Sequence, residues 1–227
     1  NNPKIVFYGI SWGGALGSAY LSTANYQDKI SGFICMDSGH NLVDGLPKSV
    51  VFVKEYAQTQ IDNGIDINYW TEAFNWCATV PDMTIKENYF KYDKYLTKTN
   101  AYRKDPNQEV KGPEVGLWGS MNSYLSLATF FNGPYLATRF NILELNLSPQ
   151  MAKIKIPSLV IWGRHDGVNT SEMGFDAFNS IGGPDFTNKE MVILENSAHE
   201  GMYHSNLIWI QILDPSCTYI NKLSSSS

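Results

Sequence analysis

The segment Gly9-Ile10-Ser11-Trp12-Gly13 constrains this chain more than any other. An apolar run, Ile5-Val6-Phe7-Tyr8, ends there, and a small-residue run containing Gly14, Ala15, Gly17, Ser18 and Ala19 begins. A strand that passes into a helix through a serine flanked by glycines two positions away is a sharp turn that exposes the hydroxyl at the end of a sheet. The glycines let neighbouring backbone approach without meeting a Cβ. The small residues predict a helix over about 12 to 24 lying close on that sheet, its amino end aiming dipole and free amides at the serine. Ser11 is therefore a candidate nucleophile. The pentapeptide alone is a common pattern, so its weight depends on partners elsewhere in the chain.

The partners follow in order. Ile156 to Gly163 reads as a short buried strand, entered through Pro157 and left through a glycine, with Asp166 just beyond it. Met191 to Leu194 reads as another buried strand, and its exit, Glu195-Asn-Ser-Ala-His199, delivers a histidine. Open α/β sheets bind their ligands at the carboxyl ends of parallel strands, so Ser11, Asp166 and His199 converge on one edge.

Three segments carry a resemblance: Gly-Ile-Ser-Trp-Gly-Gly (9 to 14), Ile-Pro-Ser-Leu-Val-Ile-Trp-Gly-Arg-His-Asp (156 to 166) and Asn-Ser-Ala-His (196 to 199). Together they make the chain resemble the α/β-hydrolase superfamily over almost its whole length. The tryptophan after the serine and a long helical insertion before the acid strand look like the proline iminopeptidase branch. The resemblance implies an α/β fold, a mostly parallel sheet flanked by helices with a helical cap, and acyl transfer through Ser, His and Asp without metal or organic cofactor. Serine at position 11 argues against the haloalkane dehalogenases and epoxide hydrolases of the same fold. Complete members have strands before the elbow and an upstream loop that donates a second oxyanion amide, whereas this chain starts at Asn1-Asn2-Pro3. It is therefore expected to be the carboxyl-terminal part of a longer protein, with the missing amino-terminal segment as its partner.

The chemistry assigns the roles. A serine hydroxyl is a weak nucleophile until a base takes its proton, and a histidine, with a reference pKa of about 6.5, can accept that proton and return it to the leaving group. His199 is that base, and Asp166 fixes its tautomer and stabilises the imidazolium. Trp12 offers its backbone amide to the oxyanion and its indole to the pocket wall. Asp37, which follows the strand Ile30 to Met36, is the rival acid. His40, His165 and His204 read as surface or supporting residues, and Glu200 as solvated or capping. Glu55, Asp62, Asp66, Glu72, Asp82, Glu87 and Asp93 could include a carboxylate for a substrate amino group, as the aminopeptidase resemblance implies. A carboxylesterase, an acyltransferase, and a non-catalytic binding protein or inactive fragment are the alternatives.

The rest of the chain bounds this reading. The 227 residues divide into a core of 1–43 and 151–223, a helical cap of 44–150 and a disordered tail of 224–227. Cap helices are expected at about 48 to 62, 67 to 78, 84 to 98 and 119 to 140, with a core helix at about 171 to 181 and a closing helix at 204 to 213. Most of the cap's many aromatic residues should fill its core, a minority facing an apolar pocket for a small-molecule or short-peptide substrate. A net charge of −5 offers nothing to nucleic acid, and no apolar run approaches the roughly 20 residues of a membrane span. Cys35, Cys77 and Cys217 are too few and too irregular for a disulfide framework or a zinc site, though one pair could form. Asn146 and Asn169 match the glycosylation pattern, and compartment is left open.

Overall fold

The computed structural model describes residues 5–23, 25–102, 142–199 and 206–225. In chain order these hold β1 (Ile5–Ile10), α1 (Trp12–Leu21), β2 (Ile30–Met36), α2 (Leu42–Asp62), α3 (Ile67–Ala78), α4 (Lys86–Leu96), β3 (Ser158–Gly163), α5 (Ser171–Ser180), β4 (Lys189–Leu194) and α6 (Asn206–Ser225). The strands form one parallel sheet in the order β1-β2-β3-β4.

Both faces of this sheet are covered, which explains why its central strands read as unbroken apolar runs rather than alternating ones. Phe33, Cys35, Val160 and Trp162 point to one face, where they meet Leu21 of α1 and Met173 and Ala177 of α5. Ile34, Met36, Leu159 and Ile161 point to the other, beneath Tyr219 of α6. All six residues of β3 are buried. The small residues of α1 bring it close to the sheet, since a Cβ on Gly17 would lie 2.7 Å from the Phe7 ring and 2.8 Å from that of Phe33.

Helices α2 to α4 build a separate apolar cluster from Val50, Val53, Ala57, Trp70, Ala73, Tyr92, Tyr95 and Leu96. Most of the described aromatics in this stretch serve that cluster, as expected from sequence. The chain enters and leaves this layer at one place. Asn41 bridges to Asn146, Leu42 N–H donates to Leu145 O at 2.7 Å, and Leu147 N–H donates to His40 O at 2.8 Å. His40 is fully buried, with Nε2 2.9 Å from the Asp176 carboxylate, so it is no surface residue. The Ser148 hydroxyl donates to the same carboxylate oxygen at 2.5 Å.

Several boundaries differ from the sequence reading. Helix α2 begins at Leu42 rather than 48, because the Asn41 side chain accepts from Asp44 N–H at 3.2 Å and caps it. Pro47 lies inside the helix, where burial of Leu42, Leu46 and Val50 offsets one lost hydrogen bond. Helix α6 runs through Pro215 to Ser225, well past 213, with Tyr219 and Leu223 packed on the sheet. It includes Ser224 and Ser225, while 226–227 lie outside the described residues. The helix expected over 119–140, with Trp118, Tyr124, Phe130, Phe131 and Tyr135, also lies outside them. The three cysteines are free, Cys35 and Cys77 buried and Cys217 exposed.

Candidate active site

Register places the candidate residues on one edge. Ile10 pairs with Met36, Met36 with Ile161, and Gly163 with Leu194, so Ser11, Asp37, Asp166 and His199 all follow the carboxyl ends of adjacent strands. Ser11 caps α1 with φ 51° and ψ −116°, a backbone conformation that a non-glycine residue adopts only when its surroundings enforce it. Its N–H donates to Met36 O at 2.9 Å, and its carbonyl accepts from Gly14, Ala15 and Gly39. A Cβ on Gly9 would strike the Gly13 carbonyl, and one on Gly14 would lie 2.6 Å from the Ser38 Cβ. Gly13 itself faces open space, so close approach is required at Gly9 and Gly14, one position later than the pentapeptide suggests.

The Ser11 hydroxyl lies 3.0 Å from His199 Nε2, and His199 Nδ1 lies 2.8 Å from Asp166 Oδ2. The carboxylate partner assigns the ring proton to Nδ1, leaving Nε2 free to accept from the serine. The other Asp166 oxygen accepts from the Val168 and Asn169 amides, both at 2.8 Å. Burial pushes the Asp166 carboxyl up, while His199 and these two amides pull it back. Trp12, half exposed, occupies the first position of α1, and its N–H has no acceptor among the described residues.

Asp37 occupies a different environment. It is fully buried with φ 42°; one oxygen accepts from Gly163 N–H at 2.9 Å and the other has no partner among the described residues. Burial first, then the Asp166 charge, raises it well above the usual carboxylate range. Asp37, Asp166 and His199 each offer a ligand atom within 4.8 Å of the others. Two of those groups are already bonded to each other, so the cluster fits a hydrogen-bonded chain better than a metal cradle. His165 is exposed; His204 and Glu200 lie outside the described residues.

A cavity of about 400 Å³ opens over Ser11 and His199. The helical layer supplies Leu42, Leu46, Tyr89, Tyr92, Asp93 and Leu96 to its wall, and Trp12, Tyr102, Val168 and Asn169 are among the others that line it. Asp93 is the member of the seven acids that reaches this cavity. It is half-buried, makes no side-chain hydrogen bond or ion pair among the described residues, and is raised by burial. Sequence alone missed its position, since nothing distinguishes it from its neighbours on the helix. It also missed Asn169. That residue is buried and donates to Asp37 O at 2.8 Å, which leaves no room for a glycan.

A parallel sheet presenting a serine on a strained strand-to-helix turn, hydrogen-bonded through histidine to aspartate beneath a helical layer, defines the α/β-hydrolase architecture. The chain belongs to the alpha/beta hydrolase fold family, whose model matches residues 1–204. Among solved structures it is similar to VinJ, at 14% identity and a TM-score of 0.55, over 99% of this chain and 67% of that one. It is similar also to a candidate lipase from Acinetobacter baumannii AYE, again at 14% identity and 0.55, over 99% of this chain and 62% of that one. These likenesses are of fold alone. No curated protein matches the chain in sequence. Among the described residues no helix is long and apolar enough to cross a membrane.

Proposed function

We propose that the chain carries the catalytic centre of a serine hydrolase that cleaves an ester or amide through an acyl-enzyme. The observation that carries this reading is the unbroken chain from Ser11 Oγ through His199 to Asp166, at 3.0 and 2.8 Å. Ser11 Oγ bonds to the carbonyl carbon as its proton passes to His199 Nε2, and Asp166 stabilises the imidazolium. The Trp12 amide receives the negative oxygen. As the intermediate collapses, His199 returns the proton to the departing amine or alcohol, and water repeats the cycle on the acyl-enzyme. The segment 44–150 acts as the cap, its helices α2 to α4 forming the pocket wall.

The finer reading is an aminopeptidase resembling the proline iminopeptidases. Asp93 supports it, because an unpaired carboxylate among Leu42, Leu46, Tyr89 and Leu96 lacks the cation that would offset its burial. A substrate ammonium group supplies that cation, while the apolar wall suits a proline ring. The test compares proline amides with free and acylated amino termini against short p-nitrophenyl esters, in enzyme counted by fluorophosphonate labelling of Ser11. Free amines should be preferred, and Asp93→Asn should lower kcat/KM for them by about 10- to 100-fold while sparing the acylated series. Equal cleavage of free and blocked amines, or cleavage of esters alone, replaces the aminopeptidase with a carboxylesterase. Failure of Ser11→Ala to abolish labelling removes the hydrolase reading itself.

A further inference from the structure

The acid loop is held from above. Gly167, the residue after Asp166, has its carbonyl bonded by the Ser49 hydroxyl of α2, and Ser49 in turn accepts from the Tyr92 phenol of α4 at 2.6 Å. The Gly167 N–H donates to Ala101 O at 3.2 Å, and the same carbonyl accepts the His199 N–H at 3.3 Å. Ala101 is itself placed by Thr99, whose hydroxyl accepts Ala101 N–H at 3.0 Å while donating to Leu96 O. A Cβ on Gly167 would strike the Phe52 ring of α2. Both polar atoms of the Gly167 peptide, and the backbone of the base, are therefore fixed by the helical layer rather than by the sheet.

We infer that Ser49 and Tyr92 are positioning residues for the acid: the bonded series Tyr92, Ser49, Gly167 ties the pocket wall to the loop that aims Asp166 at His199. The inference rests on the role proposed for Asp166. Ser49 is fully buried and Tyr92 nearly so, which makes each bond one that water cannot replace. Tyr92 also lines the cavity. A ligand pressing on its ring acts on a group two hydrogen bonds away from the Gly167 peptide. A productive geometry tolerates little error, a displacement of about 1 Å costing up to about 10² in rate.

The test measures the second-order rate of fluorophosphonate labelling of Ser11 against pH in Ser49→Ala, Tyr92→Phe and Asp166→Asn, scaled to the folded fraction. Ser49→Ala should slow labelling about tenfold and move the acid limb of the profile to lower pH, because a loosened Asp166 stabilises the imidazolium less. The titratable groups facing His199 and Asp166, namely Asp37, Tyr102 and, across the cavity, Asp93, are unaltered by either substitution. Tyr92→Phe keeps the ring and the Ser49 donor, so it should slow labelling by about two- to fivefold. It carries the test if Ser49→Ala does not fold. Lowered thermal stability with an unchanged labelling rate and pH profile in both variants overturns the inference. If Asp166→Asn itself labels at the parent rate, the acid assignment falls instead.

Discussion

Replacing Asp37 by asparagine separates the two carboxyl groups that follow adjacent strands. Asp37 is fully buried, one oxygen on Gly163 N–H and the other unpartnered among the described residues. Burial and the Asp166 charge keep it protonated well above the usual range. Asparagine is close in shape to that neutral acid and retains the Gly163 bond. The folded chain keeps a proton that the unfolded chain releases above about pH 4, so Asp37 stabilises most below that pH. Its contribution then declines as pH rises, until the folded carboxyl itself ionises. Each pH unit crossed while it stays protonated costs about 1.4 kcal/mol, setting a ceiling of about 4 kcal/mol at pH 7. Asp37→Asn should therefore equal the parent in urea unfolding near pH 4 and exceed it by about 1 to 3 kcal/mol at pH 7. Turnover should stay within about threefold of the parent. Asp166→Asn, by contrast, sets an amide against His199 Nδ1 and should lower turnover by about 10⁴. A stability difference that ignores pH, or that favours the parent at pH 7, refutes the buried neutral acid. A crippled Asp37→Asn beside a nearly normal Asp166→Asn reverses the choice of acid.

Two further outcomes follow from a part-buried carboxylate and from the buried thiols. The His40 hydrogen bond, chief among several, lowers Asp176 to about 2, so the stability it contributes is complete above the ordinary carboxylate range and is lost as pH falls towards about 2. Asp176→Asn should weaken the fold at neutral pH and flatten the loss between about pH 4 and 2, read by thermal unfolding across that window. Burial raises the Cys35 thiol to about 12 and the Cys77 thiol to about 11, whereas Cys217 is exposed. A thiol reagent should therefore modify Cys217 alone in the native protein and all three cysteines after denaturation; rapid native labelling of Cys35 would contradict its burial.

The sequence by itself determined the strands and the order of the candidate site residues along the chain. Ile30 to Met36 and Ser158 to Gly163 are short apolar runs buried over most or all of their length, and such runs in a two-faced parallel sheet have little other place to go. Because the strands are parallel, residues just past them share an edge, and Ser11, Asp166 and His199 were legible on that ground. The sequence reading prefers Asp166 and keeps Asp37 as the rival; only the tertiary structure adds which of the two His199 meets. Asp37 and Asp166 both follow strands, but Asp37 turns at once to the Gly163 amide, while two intervening loop residues, Arg164 and His165, carry Asp166 to His199 Nδ1. The same holds in the helical layer. Asp93 looks like six other acids until α4 packs and turns it into the cavity, and Asn169 looks like a glycosylation acceptor until burial commits its amide to Asp37 O. Turn chemistry and apolar periodicity are local and survive in the sequence, whereas which polar atom meets which is fixed by packing between segments distant along the chain, 33 residues apart for Asp166 and His199 and 132 for Asn169 and Asp37.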